Sequence, residues 1–166
     1  MPTLSIRPAT RDDVPVILQL VRDLAEYERA PEQAVATPEL MTAALFGDTH
    51  GRRPLSECLI GEVDGRVCGL ALFFLNFSSW TGRPGLYLED LFVRPESRGA
   101  GLGKALLKRL ARIAVDRGCA RMEWFVINWN TPAIRFYESI GARPMDQWTI
   151  HRLDGEDLAR LAATPE

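Results

Sequence analysis

The chain has 166 residues, 46% of them hydrophobic and 25% charged, enough apolar matter for one core. A net charge of −2 and a pI near 5.8 give no basic field to draw the chain to nucleic acid or a phospholipid surface, and neither partner is expected. The longest unbroken apolar run, 69–75, falls far short of the ~20 residues that cross a bilayer, and no basic stretch followed by an apolar one opens the sequence. A cytoplasmic single domain over 1–166 is expected.

In chain order, residues 4–7 read as a short strand. Val14, Ile17, Leu18, Val21, Leu24 and Ala25 then recur at helical spacing, predicting a helix over 11–28 with Thr10 or Asp13 as its cap. Thr37 followed by Pro38 starts a second helix that stops at Gly47, and 48–54 is a polar loop. Strands over 57–63 and 66–77 flank Asp64 and Gly65, a hairpin signal. With Val63 facing Arg66, Cys58 faces Ala71. That register puts Leu59, Cys68, Leu70 and Phe74 on one face and Ile60, Ala71 and Phe73 on the other. A sheet apolar on both faces needs cover on both, so an α/β or α+β sandwich is predicted.

The loop 78–85 carries Trp80. A strand over 86–94 leads to a glycine-dense turn and a helix over 101–118 with Leu102, Leu106, Leu110 and Ile113 on its core stripe. Lys104, Lys108 and Arg112 line the far side and read as a solvated face. A strand over 121–127 follows, where Trp124 and Phe125 read as packing residues. Asn130 then caps a helix closed by Gly141, with Ala133, Phe136, Tyr137 and Ile140 on one face. A final strand over 147–153 precedes a short helix capped by Asp154, with Asp157 at the reciprocal position.

Cys58, Cys68 and Cys119 form no metal or redox spacing, and the hairpin register sets Cys58 and Cys68 on opposite faces. His50 and His151 stand in no ligand spacing, and no metal is expected.

The chemistry gathers between the strand over 86–94 and the helix after it. Gly103 and Lys104 are followed by Ala105 rather than Ser or Thr, so the turn is not a P-loop. Gly99 and Gly101 lack the third glycine of a dinucleotide fingerprint, since position 104 is lysine. A tight connection explains one glycine. Gly99, Gly101 and Gly103 together, at the positive end of a helix, predict a phosphate seat. Just upstream, strand alternation sends Glu89 to one face and Asp90 to the other, each either a structural ion-pair partner or a functional base or cation receptor. Tyr137 alone reads as a core residue.

Arg98, Gly99, Ala100, Gly101, Leu102 and Gly103 match the Arg/Gln-x-x-Gly-x-Gly/Ala signature of the GNAT superfamily of N-acetyltransferases, and the chain resembles that family almost throughout. The segments 24–28, 87–90, 129–132 and 148–153 resemble its spermidine/spermine (diamine) and thialysine branch. The resemblance implies a mixed, largely antiparallel sheet covered by helices on both faces, with a splayed strand pair for acyl-CoA. It implies acetyl-CoA as co-substrate, seated on backbone N–H groups of Arg98, Gly99, Ala100, Gly101, Leu102, Gly103 and Lys104, on those of Leu91, Phe92 and Val93, and against Asn130 and Tyr137. It further implies Glu89 as the base that deprotonates the amine, directly or through water, and Tyr137 as the acid that protonates the departing thiolate. Tyr27, Glu28, Glu89, Asp90 and Trp80 are the implied amine contacts, and a homodimer is the implied assembly. The loop at 78–85 appears one residue longer than in polyamine enzymes and carries serine where they tend to be acidic. A diamine or polyamine, a thialysine-like amine and another amine (amino acid, antibiotic or protein) therefore stay open, as does a non-catalytic acyl-CoA sensor.

Overall fold

A computed structural model describes residues 2–48, 51 and 53–164. Thr49, His50 and Arg52, inside the loop expected over 48–54, lie outside the described residues. The chain divides into two compact units, Met1–Phe125 and Val126–Glu166.

In the first unit, strands β1 (Leu4–Pro8), β2 (Glu57–Val63), β3 (Arg66–Ser78), β4 (Arg83–Val93) and β5 (Met122–Glu123) lie side by side in that order. The first four pair antiparallel, and β5 runs parallel to β4. Helices α1 (Val14–Tyr27) and α2 (Pro38–Phe46) cover one face, where Ile17, Leu20 and Leu45 pack with Cys58, Ile60, Leu70, Leu72 and Phe92. Helix α3 (Leu102–Asp116) lies on the other face. It buries Leu102, Leu106, Leu107, Leu110 and Ala114, each leucine contributing roughly 2 kcal/mol, and the Leu102 side chain meets Gly61 of β2. The predicted sandwich with helices on both faces is the observed architecture.

Caps follow local chemistry. Thr37 accepts the Leu40 N–H at 3.3 Å and opens α2. At the start of α1 the structure inserts a 3₁₀ turn (Arg11–Asp13), and the Asp13 carboxylate accepts the Thr10 N–H at 2.7 Å. Arg7 of β1 grips the same carboxylate at 2.7 and 2.8 Å and reaches Glu62 of β2 at 3.0 Å.

Two bulges correct the expected registers. Between Gly61 and Glu62 the β2–β3 ladder shifts: Val67 faces Glu62, Gly69 faces Gly61, and Cys68 is the extra residue. Cys58 therefore faces Leu72, not Ala71, and the faces sort as Leu59, Ala71 and Phe73 against Ile60, Leu70 and Leu72. Cys58 and Cys68 are kept apart by distance rather than by opposite faces, since Leu72 lies four residues, about 13 Å, beyond Cys68 along β3. All three cysteines are free. The second bulge, in β4, bears on the site.

The strand expected over 121–127 shrinks to β5, which pairs with β4 only at Leu86 and Tyr87. Beyond Tyr87 that edge of β4 has no strand partner among the described residues. This is the splay the family resemblance implied.

The second unit holds α4 (Thr131–Ser139) and α5 (Gly155–Ala162). Asn130 caps α4 as expected, its side-chain oxygen accepting the Ala133 N–H at 3.4 Å. The strand expected over 147–153 does not form. Among the described residues no strand pairs with it, and an unpaired strand leaves its backbone groups without a ladder. Nor does Asp154 cap α5: its side chain makes no cap bond, and Asp157 pairs instead with Arg160 at 2.7 Å.

Candidate active site at the open edge of β4

Leu72 of β3 faces Asp90, and its neighbour Phe73 faces Leu88, so Glu89 is the unpaired residue of a bulge. Two residues here take the place of one. Leu88 and Leu91 lie on the α3 face, opposite Phe73 and Ala71, and Glu89 and Asp90 both fall to the α1 face. The expectation that they point to opposite faces is thus overturned. A charged pair inside an otherwise apolar strand was the available signal for such a bulge.

Glu89 is exposed, and Asp90 is half-buried on the face that carries Leu72 and Phe92. Burial above all, then the negative charges of Glu89 and Glu28, push the Asp90 carboxyl up to about 6. Glu28, at the C-terminal end of α1, is itself raised by burial. Glu89 and Glu28 thus both bear on Asp90 across a small region, an environment that favours a cation. Burial, followed by Asp13 and Asp90, pushes the Cys58 thiol up to about 12, which removes it as a nucleophile near neutral pH.

The open edge of β4 supplies donors. The Arg94 N–H bonds Cys68 of β3, so two-residue alternation sends the Phe92 N–H toward β3 and those of Leu91 and Val93 toward the open side. The Val93 carbonyl confirms the direction, accepting from Arg98 Nε at 3.0 Å. Phe92 was expected to offer its N–H with the other two, but the β3 ladder takes it, and its ring is buried in the core.

The turn begins with a 3₁₀ segment (Pro95–Ser97), and the Arg98 N–H is spent on Pro95 at 3.2 Å. From Gly99 to Lys104, no backbone N–H meets an acceptor among the described residues, and no side chain caps α3. Gly99 and Gly101 have φ of 82° and 88°, so glycine is required there by conformation. Gly103 is different. It lies inside the helix, and an added Cβ would make only an ordinary contact, 3.8 Å from Val93 Cγ2. Neither its conformation nor the packing around it requires a glycine there. The first turn of α3 holds no acidic residue and does hold Lys104, a charge unfavourable to the helix dipole unless an anion joins it. Donors, dipole, lysine and a bare Gly103 all fit a pyrophosphate.

The structure brings Tyr27, Glu28, Glu89, Asp90, Leu91, Val93 and the turn from Arg98 to Lys104 together in the first unit. The Arg98 guanidinium stacks 4.7 Å from the Tyr27 ring centroid and 5.9 Å from that of Phe92, a contact that no sequence pattern announces. Trp80 stands apart. It is 86% exposed in the tip joining β3 to β4, and the strand from Arg83 to Asp90 spans about 23 Å, so it does not reach these carboxylates within its own chain. Asn130 and Tyr137 belong to the second unit. There Tyr137 lies in α4, its ring 5.5 Å from that of Phe136. Among the described residues no group of three His, Cys, Asp or Glu is placed to hold a metal ion.

The sequence profile of the Acetyltransferase (GNAT) family matches residues 18–142. The thialysine N-epsilon-acetyltransferase of Sus scrofa is 35% identical over 98% of this chain and 99% of its own. The L-ornithine N5-acetyltransferase of Arabidopsis thaliana is 33% identical over 94% of this chain and 86% of its own. A spermidine/spermine N(1)-acetyltransferase-like protein of Homo sapiens is 36% identical over 98% of this chain but only 24% of that longer protein. Among solved structures, an integron cassette protein of V. cholerae superposes with a TM-score of 0.79 at 25% identity, covering 97% of this chain and 98% of its own. A Trypanosoma brucei acetyltransferase gives 0.68 at 29% identity, with 92% and 99% covered. The chain belongs to the GNAT family of N-acetyltransferases and falls with its thialysine and spermidine/spermine branch.

Proposed function

We propose that this enzyme moves an acetyl group from acetyl-CoA to a primary amine of a small molecule, a diamine or polyamine or a thialysine-like amine, by direct attack in a ternary complex. One observation carries the reading: the row of unbonded N–H groups from Gly99 to Lys104 lies at the end of the same strand, β4, whose bulge carries Glu89 and Asp90. Acetyl-CoA supplies an activated acyl thioester. Residues Gly99 to Lys104 hold its pyrophosphate, Leu91 and Val93 N–H groups bind along the pantetheine and polarise the acyl carbonyl, and Asn130 adds a contact. Glu28, Asp90 and Tyr27 hold the cationic amine. Such an amine arrives protonated, with a solution pKa near 10.4, so a base must free its nitrogen, and Glu89 takes that proton. Tyr137 returns a proton to the leaving sulfur. The family profile crosses from the first unit into the second, which supports the two units working as one acetyltransferase domain.

A cytoplasmic homodimer is part of the proposal. Trp148, Ile150, Leu153, Leu158 and Leu161 of the second unit are exposed, an apolar set that a second copy would cover. Sedimentation of the full chain tests this: a dimer is expected, and a monomer at micromolar concentration would refute it.

The activity is tested by thiol release from acetyl-CoA with a panel of spermidine, 1,3-diaminopropane, thialysine, ornithine and lysine. Turnover with at least one of them is expected. CoA binding without turnover on any amine would support a non-catalytic sensor instead.

A further inference from the structure

We infer that Arg98 couples the two substrate seats, so that acyl-CoA in the glycine turn raises the affinity of the amine site through the Arg98–Tyr27 stack. The inference rests on the acetyltransferase reading above and adds a positioning residue to it.

One side chain joins three elements. Its backbone opens the glycine turn, its Nε is fixed to the Val93 carbonyl at 3.0 Å on the open edge of β4, and its guanidinium lies over Tyr27 at the end of α1, next to Glu28. Beneath it sits the ring of Phe92, a buried core residue. No carboxylate pairs with Arg98 among the described residues. A positive charge therefore stands between the phosphate seat and the seat for a cationic amine.

Two consequences have the same sign. Without phosphate, the Arg98 charge opposes an ammonium arriving near Glu28 and Asp90, and a pyrophosphate on the turn cancels that opposition. The same anion fixes the guanidinium where it stacks, and the stack fixes the Tyr27 ring that borders the amine seat. Binding linkage is reciprocal, so the amine must tighten acyl-CoA by the same factor. Lysine at this position would keep the charge but lose the planar face and the fixed fork.

The test is calorimetry on the full chain with desulfo-CoA, which cannot transfer an acyl group, and with thialysine, ornithine and 1,3-diaminopropane as amine probes. For the wild type, saturating desulfo-CoA is expected to tighten the bound amine about fivefold or more. Arg98→Lys keeps the charge part of the coupling and loses the stack, so it is expected to cut that factor to about half or less while weakening desulfo-CoA itself by less than about threefold. Tyr27→Leu should lower the factor to a similar extent and Tyr27→Phe, which keeps the ring, should preserve it, with thermal midpoints confirming that all three variants fold. If wild type binds both ligands with a factor near one, or Arg98→Lys keeps the full factor, the coupling is wrong although the enzyme reading stands. If desulfo-CoA or every amine fails to bind wild type, the enzyme reading itself falls and the coupling falls with it.

Discussion

Asp90 stands on the same side of β4 as Glu89, the residue before it, because the bulge opposite Leu72 sets two residues in the place of one. The pair thereby shares one local field with Glu28, and Asp90 holds its proton up to about 6. Below about pH 4 the carboxyl is protonated whether the chain is folded or not. Between about 4 and 6 only the folded state keeps the proton, and above that the folded state must carry a charge that burial disfavours. Stability is therefore lost as pH rises through that window, by at most ~3 kcal/mol. Asp90→Asn is expected to raise the thermal midpoint at pH 8 by several degrees, to change it little at pH 4, and to weaken amine binding. Midpoints at both pH values check the first two and calorimetry the third. Equal gains at both would remove ionisation as the cause.

The three glycines of the turn should separate on substitution. Gly99→Ala and Gly101→Ala force a Cβ onto left-handed backbone at φ of 82° and 88° and should each destabilise the fold by about 1 kcal/mol. Gly103→Ala should do the reverse. A helical alanine gains roughly 0.4–1 kcal/mol over glycine, and its Cβ meets nothing closer than 3.8 Å. In the proposed function the same methyl group would stand in the way of a phosphate approaching the unbonded N–H groups of the turn, so CoA affinity should fall tenfold or more. A variant both more stable and binding CoA normally would show that the glycine serves no ligand.

Arg7 and Asp13 predict an acid-sensitive clasp. The Arg7 guanidinium holds the Asp13 carboxyl well below the usual carboxylate range, aided by the Thr10 N–H and hydroxyl. A lowered folded value means stability that is present above about pH 4 and lost as pH falls further. With Asp13 side chain 10% exposed and Arg7 38%, solvent screens part of the pair, and Asp13→Ala is expected to cost about 2 kcal/mol at pH 7. Urea unfolding at pH 7 and pH 3 checks it: the difference between variant and wild type should shrink at the lower pH. A constant difference would assign the loss to packing.

Periodicity and punctuation made most of the first unit legible. The stripes of α1 and α3, the Asp64 and Gly65 hairpin and the Thr37 cap are local events, each settled by residues a few positions apart. What stayed hidden depends on partners. The extra residue Cys68 and the unpaired Glu89 show only when one strand is laid against another, and each shifted a face assignment made by counting in twos. The strand expected over 147–153 had the right composition but found no partner strand among the described residues, and β5 pairs with β4 only at Leu86 and Tyr87. The donors of the turn could be read from the glycines, but the Arg98–Tyr27 stack joins residues 71 positions apart and has no spacing to betray it.

Tyr137→Phe gives the sharpest measure of the proposed chemistry. The change deletes one oxygen and keeps the ring, so its contact with Phe136 in α4 survives and helix packing should hardly alter. If the hydroxyl protonates the departing thiolate, its loss weighs most on the transition state. The turnover number should then fall ten- to a hundredfold, with desulfo-CoA affinity unchanged within a factor of about two. Glu89→Gln should also slow turnover, but for another reason. It leaves the amine protonated, so raising the pH toward 10 should recover part of its rate and none of the rate lost in Tyr137→Phe. Steady-state rates from pH 7 to 10 for both variants, with calorimetry for the cofactor, separate the two roles. A collapse of cofactor affinity in Tyr137→Phe would make that hydroxyl a binding group, and the proton for the leaving sulfur would then have to come from water.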